Sequence, residues 1–324
     1  MRRRDFAGGA LAAAGLGLAS ALAQTDPYPS HMIRLVVPFA PGGGVDVLAR
    51  LLGEKLKEIR GITLMIENHA GANGLLGGSV VQHSRPDGYT LLFSAPTHVM
   101  ARQVMLNVPY DPVTDFTPIA RVGTAPMLLV MSPDLAPRTI TELLAEARRE
   151  PQQWTFAVSS IGSPGHIATI AFNKLAALNL VIAAYRGTAP GAADVAADHV
   201  QLMIDPVLVL LPMARGGRLK ALALTSAARS SLAPDIPTAG ESGMPGLEFA
   251  SWYGMWGPRG LPDAIVQWLN RAANEATGAL AKSGQLADLG IEPVIETPGE
   301  FSRFIATDVA RNTELLRSAN FKPL

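Results

Sequence analysis

Two glycine-opened corners carry the residues best suited to holding a small anion. In the first, the apolar run Ile33–Val37 leads into Pro38-Phe39-Ala40-Pro41 and then Gly42-Gly43-Gly44. An amphipathic pattern follows, with Leu48, Leu51, Leu52, Leu56 and Ile59 at helical spacing. In the second, Trp154–Ser160 reads as a strand, Ile161–Gly165 as a turn and His166–Leu178 as a helix. Glycine lets a backbone approach a ligand closely, and the first turn of a helix leaves N–H groups unpaired at the positive end of its dipole. One such corner in each half of the chain suggests two lobes facing one ligand. The ligand would be held by neutral donors rather than by a lysine or arginine cluster. The same residues also fit ordinary strand-to-helix turns.

Other candidates for chemistry are few. His166 follows the second glycine turn and has two readings, a catalytic base beside Ser160 or Ser163, or a brace for the loop. Bracing is the commoner role for a histidine in a helix's first turn. Asp205 ends a strand ahead of Pro206, where it would meet a ligand amine, cap the helix starting near Val207, or brace. There is no G-x-S-x-G elbow, no phosphate-binding P-loop and no H-E-x-x-H. The six histidines are scattered without ligand spacing, and there is no cysteine. No metal, cofactor or catalytic set is therefore expected. Lysine plus arginine and aspartate plus glutamate both number 27 and aromatics make up 6%, which argues against a nucleic-acid partner.

Arg2-Arg3-Arg4 is a basic start, Ala7–Leu22 a weakly apolar Ala/Gly-rich stretch, and Ala21-Leu22-Ala23 a small-x-small cleavage site. Residues 1–23 are thus expected to be a signal peptide cleaved after Ala23. Arg3-Arg4-Asp5-Phe6 also resembles a twin-arginine signal. Export to the periplasm is the expectation.

Behind these residues, strands and helices alternate. Thr63–Glu67, Tyr89–Ala95, Leu180–Tyr185, Val200–Ile204 and Leu219–Thr225 read as strands. Gly74–Ser84, Thr139–Arg149, Ala264–Leu280 and Pro298–Ser318 read as helices, the second opened by the capping box Thr139-Ile140-Thr141-Glu142. Such alternation predicts parallel sheets with helices on both faces. The irregular Ile119–Pro126 and Phe249–Gly257 segments fit hinge strands. Two crossings there would give lobe 1 residues 31–124 plus 252–324 and lobe 2 residues 125–251.

The ordered segments Pro38–Arg50, Glu67–Gly74, Pro86–Leu92, Tyr110–Pro118, Ser159–His166, Tyr185-Arg186-Gly187 and Pro234–Gly243 resemble the tripartite tricarboxylate transporter receptors, the Bug or TctC-type periplasmic solute-binding proteins. The resemblance runs from Ile33 to the C-terminus. It implies a type II-like periplasmic binding fold, with two α/β lobes of mostly parallel sheet joined by two hinge crossings. It implies a monomer that binds a small carboxylate and hands it to membrane transporter subunits, with no enzymatic activity. A sensor working through a signalling partner, or a hydrolase or isomerase on the same cleft, are the alternatives. Carried over by position, the ligand would meet Phe39, Ala40, Pro41, Gly42, Gly43, Gly44 and Asp46 from the first lobe. From the second it would meet Ser160, Gly162, Ser163, His166, Arg186, Gly187 and Asp205. Val45 replaces the family's frequent hydroxyl residue, and Ala183-Ala184-Tyr185 is less polar than usual, which leaves the ligand's identity open.

Overall fold

The computed structural model describes residues 28–230 and 232–324. The expected signal peptide and its cleavage site lie outside them. The first run of elements is β1 (Ile33–Val37), α1 (Gly44–Arg60), β2 (Leu64–Asn68), α2 (Leu75–Gln82), β3 (Thr90–Ser94), the single turns α3 (Pro96–Val99) and α4 (Ala101–Val104), and the long β4 (Phe116–Met131). The second run is α5 (Ile140–Arg149), β5 (Thr155–Val158), α6 (Pro164–Ala176), β6 (Val181–Ala184), α7 (Thr188–Ala196), β7 (Leu202–Pro206), α8 (Val207–Arg215) and β8 (Lys220–Leu224). The chain then returns through β9 (Ala250–Pro258) to α9 (Asp263–Lys282), α10 (Gln285–Asp288), β10 (Glu292–Pro293) and α11 (Pro298–Ser318).

The strands lie in the order β2-β1-β3-β9-β4-β7-β5-β6. Each end of this order is parallel, as short βαβ repeats require: β2-β1-β3 on one side and β7-β5-β6 on the other. The middle departs from the all-parallel expectation. β9 runs antiparallel to both β3 and β4, and β4 runs antiparallel to β7, β8 and β10. The two returning strands close the gap between two α/β units and so must run against their neighbours. β4 pairs with β9 from Phe116 to Pro126, then with β7 and β8 from Met127 to Met131. Its register with β9 slips between Pro118 and Ala120 and between Arg121 and Gly123. The result is two α/β units joined through the antiparallel strands β4 and β9.

Helix faces follow the sequence pattern. α1 buries Leu48, Leu52 and Leu56, with Leu51 and Ile59 packed partly against the same core. It stops at Gly61, whose left-handed φ of 67° turns the chain while its N–H caps Leu56 and Lys57. α11 opens with a complete capping box, Thr297 and Glu300 each serving the other's backbone. The box expected at Thr139 is only half formed. The Thr139 hydroxyl accepts from the Glu142 N–H, but the Glu142 carboxylate accepts from the Arg138 N–H instead of reaching Thr139. Among the described residues no helix is long and apolar enough to cross a membrane.

Candidate ligand-binding site

The C-terminal ends of β1, β3, β5, β6 and β7 all open toward one cavity, the usual place for a ligand in open α/β sheets. Phe39, Gly43, Gly44 and Val45 line it after β1, and Ala95 and Thr97 after β3. Facing them are Ser159, Ser160 and Pro164 after β5, Gly187 and Thr188 after β6, and Asp205 and Pro206 at the end of β7. Ser251 and Tyr253, two apart on β9 and therefore on one face of that strand, complete the wall. The cavity holds about 40 Å³, room for a few water molecules.

Four helices begin at this wall. Gly43 and Gly187 are the N-caps of α1 and α7, Pro164 is the first residue of α6, and Pro206 is the N-cap of α8. Their dipoles place partial positive charge at the cavity without any ionised side chain. Among the described residues no lysine, arginine or histidine lines it. Three hydroxyls in the wall, those of Ser160, Ser251 and Tyr253, are buried and have no hydrogen-bond partner among the described residues. Buried polar atoms normally find one, so these three are free to meet a ligand. The Tyr253 hydroxyl sits against the start of α1, 3.1 Å from where a Cβ on Gly44 would stand. Burial, and then the Asp205 carboxyl, push its pKa up. The Ser251 hydroxyl acts slightly the other way, although it lacks hydrogen-bond geometry.

Asp205 is 1% exposed and accepts from the Ser159 hydroxyl at 3.1 Å and from the Thr188 hydroxyl. Burial lifts its pKa to about 7, and the two hydroxyl bonds oppose that only in part. The helix-capping reading of Asp205 is corrected here. β7 runs two residues beyond the apolar pattern, with Asp205 opposite Leu128 and Pro206 opposite Met127, and α8 has no side-chain cap. The carboxyl therefore points along the sheet's end, where it braces Ser159 and Thr188.

Of the residues expected to meet a ligand, Phe39, Gly43, Gly44, Ser160, Gly187 and Asp205 stand in the cavity wall. The others stand outside it, behind the wall or at the surface. Asp46 accepts from two of the Arg50 guanidinium nitrogens, Nε and Nη2, from the Gly42 N–H and from the Asn68 amide. Burial alone would raise its pKa, but these bonds outweigh burial and hold it low. Asp46 thus fixes the first glycine loop. Pro41 and Gly42 are exposed, and the Ala40 N–H donates to the Arg186 carbonyl at 3.3 Å, joining the two facing loops. The Arg186 side chain is exposed. The Ser163 hydroxyl caps α6 by accepting from the His166 N–H. The His166 Nδ1 accepts from the Gly162 N–H at 3.0 Å, so its proton resides on Nε2. Burial pulls this imidazole down to about 4. No hydrogen bond joins the ring to the Ser160 or Ser163 hydroxyl, so the geometry is that of a brace.

Gly162 itself takes a left-handed φ of 78° and packs on Val104 and Met100 of the opposite unit. Gly165 is required for another reason, since a Cβ there would lie 2.1 Å from the Ile204 carbonyl oxygen and 2.8 Å from an Asp205 oxygen. Only glycine lets α6 start this close to β7. Thr97, Ser159, Thr188, Ser251 and Tyr253 were not anticipated from sequence. Ser159 and Thr188 adjoin anticipated residues. Ser251 and Tyr253 alternate in a segment read only as a hinge strand, and nothing in that segment tells which face it shows the ligand.

Comparison with known proteins agrees with this geometry. Residues 48–321 match the model of the tripartite tricarboxylate transporter family receptor. The chain is 34% identical over 316 residues to the protein BugT of Bordetella pertussis, covering 96% of this chain and 95% of that one. Rpa4515 of R. palustris, solved with adipate, superposes with a TM-score of 0.89 at 34% identity, over 92% of this chain and all of the other. MatC of Rhodopseudomonas palustris, solved with bound malate, gives a TM-score of 0.83 at 29% identity, over 89% of this chain and 100% of the other. The chain therefore belongs to the tripartite tricarboxylate transporter receptor family, whose members are periplasmic solute-binding proteins.

Proposed function

We propose that this protein captures a small carboxylate between its two lobes in the periplasm and delivers it to a membrane transporter of the tripartite tricarboxylate type. The observation that carries this reading is the wall itself, where four helix starts and three uncommitted buried hydroxyls meet with no cationic side chain among the described residues. Such a wall favours an anion small enough to be held by hydrogen bonds. The adipate and malate bound to the two related structures support a carboxylate.

The lobes are taken as residues 31–124 plus 252–324 and residues 125–251. The change of partner along β4 after Pro126 supports this division. Two hydrogen bonds cross between these segments, the Asn73 amide donating to the Ile161 carbonyl and the Ala40 N–H to the Arg186 carbonyl, which supports two lobes facing each other over the cavity. A cavity of about 40 Å³ is small for a diacid, which favours a hinged receptor over a rigid pocket. The brace geometry of His166 supports binding without turnover, since no activated nucleophile stands beside it.

A thermal-shift screen of the ligand-stripped protein tests the reading, with adipate, malate and other mono- and dicarboxylates set against sugars, amines and amino acids. At about 100 times its dissociation constant, a ligand of the native state adds roughly 2.7 kcal/mol. A raised melting temperature with carboxylates is the expected result. A response to neutral sugars or simple amines and to no carboxylate would refute it.

A further inference from the structure

A buried carboxyl with no counter-cation stands in a wall built for anions. Asp205 is fully enclosed, and both its oxygens are engaged by neutral hydroxyls, Ser159 and Thr188. The elements packed around it bring few other ionisable groups. β9 presents the Tyr253 phenol, and β4 presents Leu128. α6 carries His166, whose Nδ1 is taken by the Gly162 N–H, and α1 carries Asp46, tied to Arg50. α7 brings Thr188, and α8 opens with Pro206 and Val207. No lysine or arginine among the described residues faces it. A carboxylate ligand entering this wall would therefore confront a second carboxylate in a low-dielectric space, an arrangement in which both cannot stay ionised.

We propose that Asp205 is a specificity-determining residue that accompanies a carboxylate ligand in its protonated form, so that capture of the ligand takes up one proton from solution. The inference rests on the carboxylate reading given above. The proton adds to the Asp205 carboxylate, giving a neutral acid that can donate a hydrogen bond, and the ligand stays ionised under the helix starts. Where free Asp205 is ionised, one anion and one proton enter together and charge is balanced; at lower pH the proton is already in place and the anion enters alone. Burial already holds the proton on Asp205 up to near neutral pH, and a second negative charge extends that range. His166 stays neutral and Asp46 stays ionised throughout, so neither takes up the proton.

Calorimetric titration of adipate, malate and a panel of straight-chain carboxylates into the full mature protein tests this between about pH 5.5 and pH 8.5. Buffers of different ionisation enthalpy count the protons exchanged. Above the pH at which Asp205 ionises in the free protein, affinity should fall about tenfold per pH unit, with close to one proton taken up. Asp205→Asn keeps the shape and a hydrogen-bond donor but cannot ionise. It should bind the same acid with an affinity that no longer varies with pH and with no proton uptake. The proposal is overturned if the native protein binds carboxylates at about pH 8–8.5 with no proton uptake, or if Asp205→Asn keeps the native pH profile. It is also overturned if a 2-amino diacid binds far better than its parent diacid and loses that advantage in Asp205→Asn, because Asp205 would then be pairing with an ammonium. Failure of every carboxylate at the acid end, with another solute class binding, would remove the functional reading itself.

Discussion

Replacing Asp205 with asparagine should make the unliganded protein more stable, and more so in mild alkali than in mild acid. The folded carboxyl titrates near 7 against an ordinary 3.8, because burial outweighs its two hydroxyl bonds. Between those values the native state holds a proton that the unfolded chain has lost. Stability therefore falls as pH rises across that window and is level above it. Each pH unit crossed between the two values costs about 1.4 kcal/mol, so the penalty is about 1.7 kcal/mol at pH 5 and about 4 kcal/mol at pH 8. Water entry or parting of the lobes relieves some of this, which makes about 1–3 kcal/mol a realistic gap between the two pH values. Urea titrations of the native protein and Asp205→Asn at pH 5, 6, 7 and 8 measure it directly. The advantage of asparagine should grow steadily to about pH 7 and then level off. An advantage that is the same at pH 5 and pH 8 would show that Asp205 is not the buried, uncompensated acid described here.

Three other substitutions separate wall from brace. Tyr253→Phe should weaken carboxylate binding by about 0.5–1.5 kcal/mol in calorimetry while leaving stability unchanged or slightly raised, since its hydroxyl has no partner among the described residues. Ser163→Ala should lower stability by about 0.5–2 kcal/mol through loss of the α6 cap, measured by urea unfolding, and affect binding only by loosening the loop. Gly165→Ala should cost roughly 1–3 kcal/mol by forcing α6 off the Ile204 carbonyl, and circular dichroism melts should show it.

The elements that carry the site were readable because they rest on local signals. Apolar runs ending in glycine turns mark β1–α1 and β5–α6, and a proline after a threonine marks the start of α11. The antiparallel centre was not readable, because β9 and β4 owe their direction to where the rest of the chain leaves a gap. The same limit applied to the site. The glycine corners pointed to the loops that line the cavity, but not to which of their residues face inward. Asp46 and His166 carry the chemistry that draws attention in a sequence, yet both are spent on the loops' own N–H groups, Gly42 and Gly162. Ser251 and Tyr253 sit in an aromatic run where burial is the default reading. Only the pleat of β9, which sends Trp252 to Asp308 on the far side, turns those two toward the cavity.

That division of labour has a physical basis. A lysine or arginine in this wall would pair with Asp205 when no ligand is present, and each capture would have to break that pair. Helix starts cannot be neutralised by swinging away. Their N–H groups are fixed by the fold and lose no side-chain entropy when an anion arrives. The loops must therefore be held rigidly, which is what Asp46 with Arg50 does in the first lobe and His166 with Ser163 does in the second. With attraction assigned to the backbone, discrimination falls to the few side chains left in the wall. Asp205 is the one among them whose pKa burial brings to about 7, and under the proposal above its protonation state would decide whether the site presents a donor or a repelling charge.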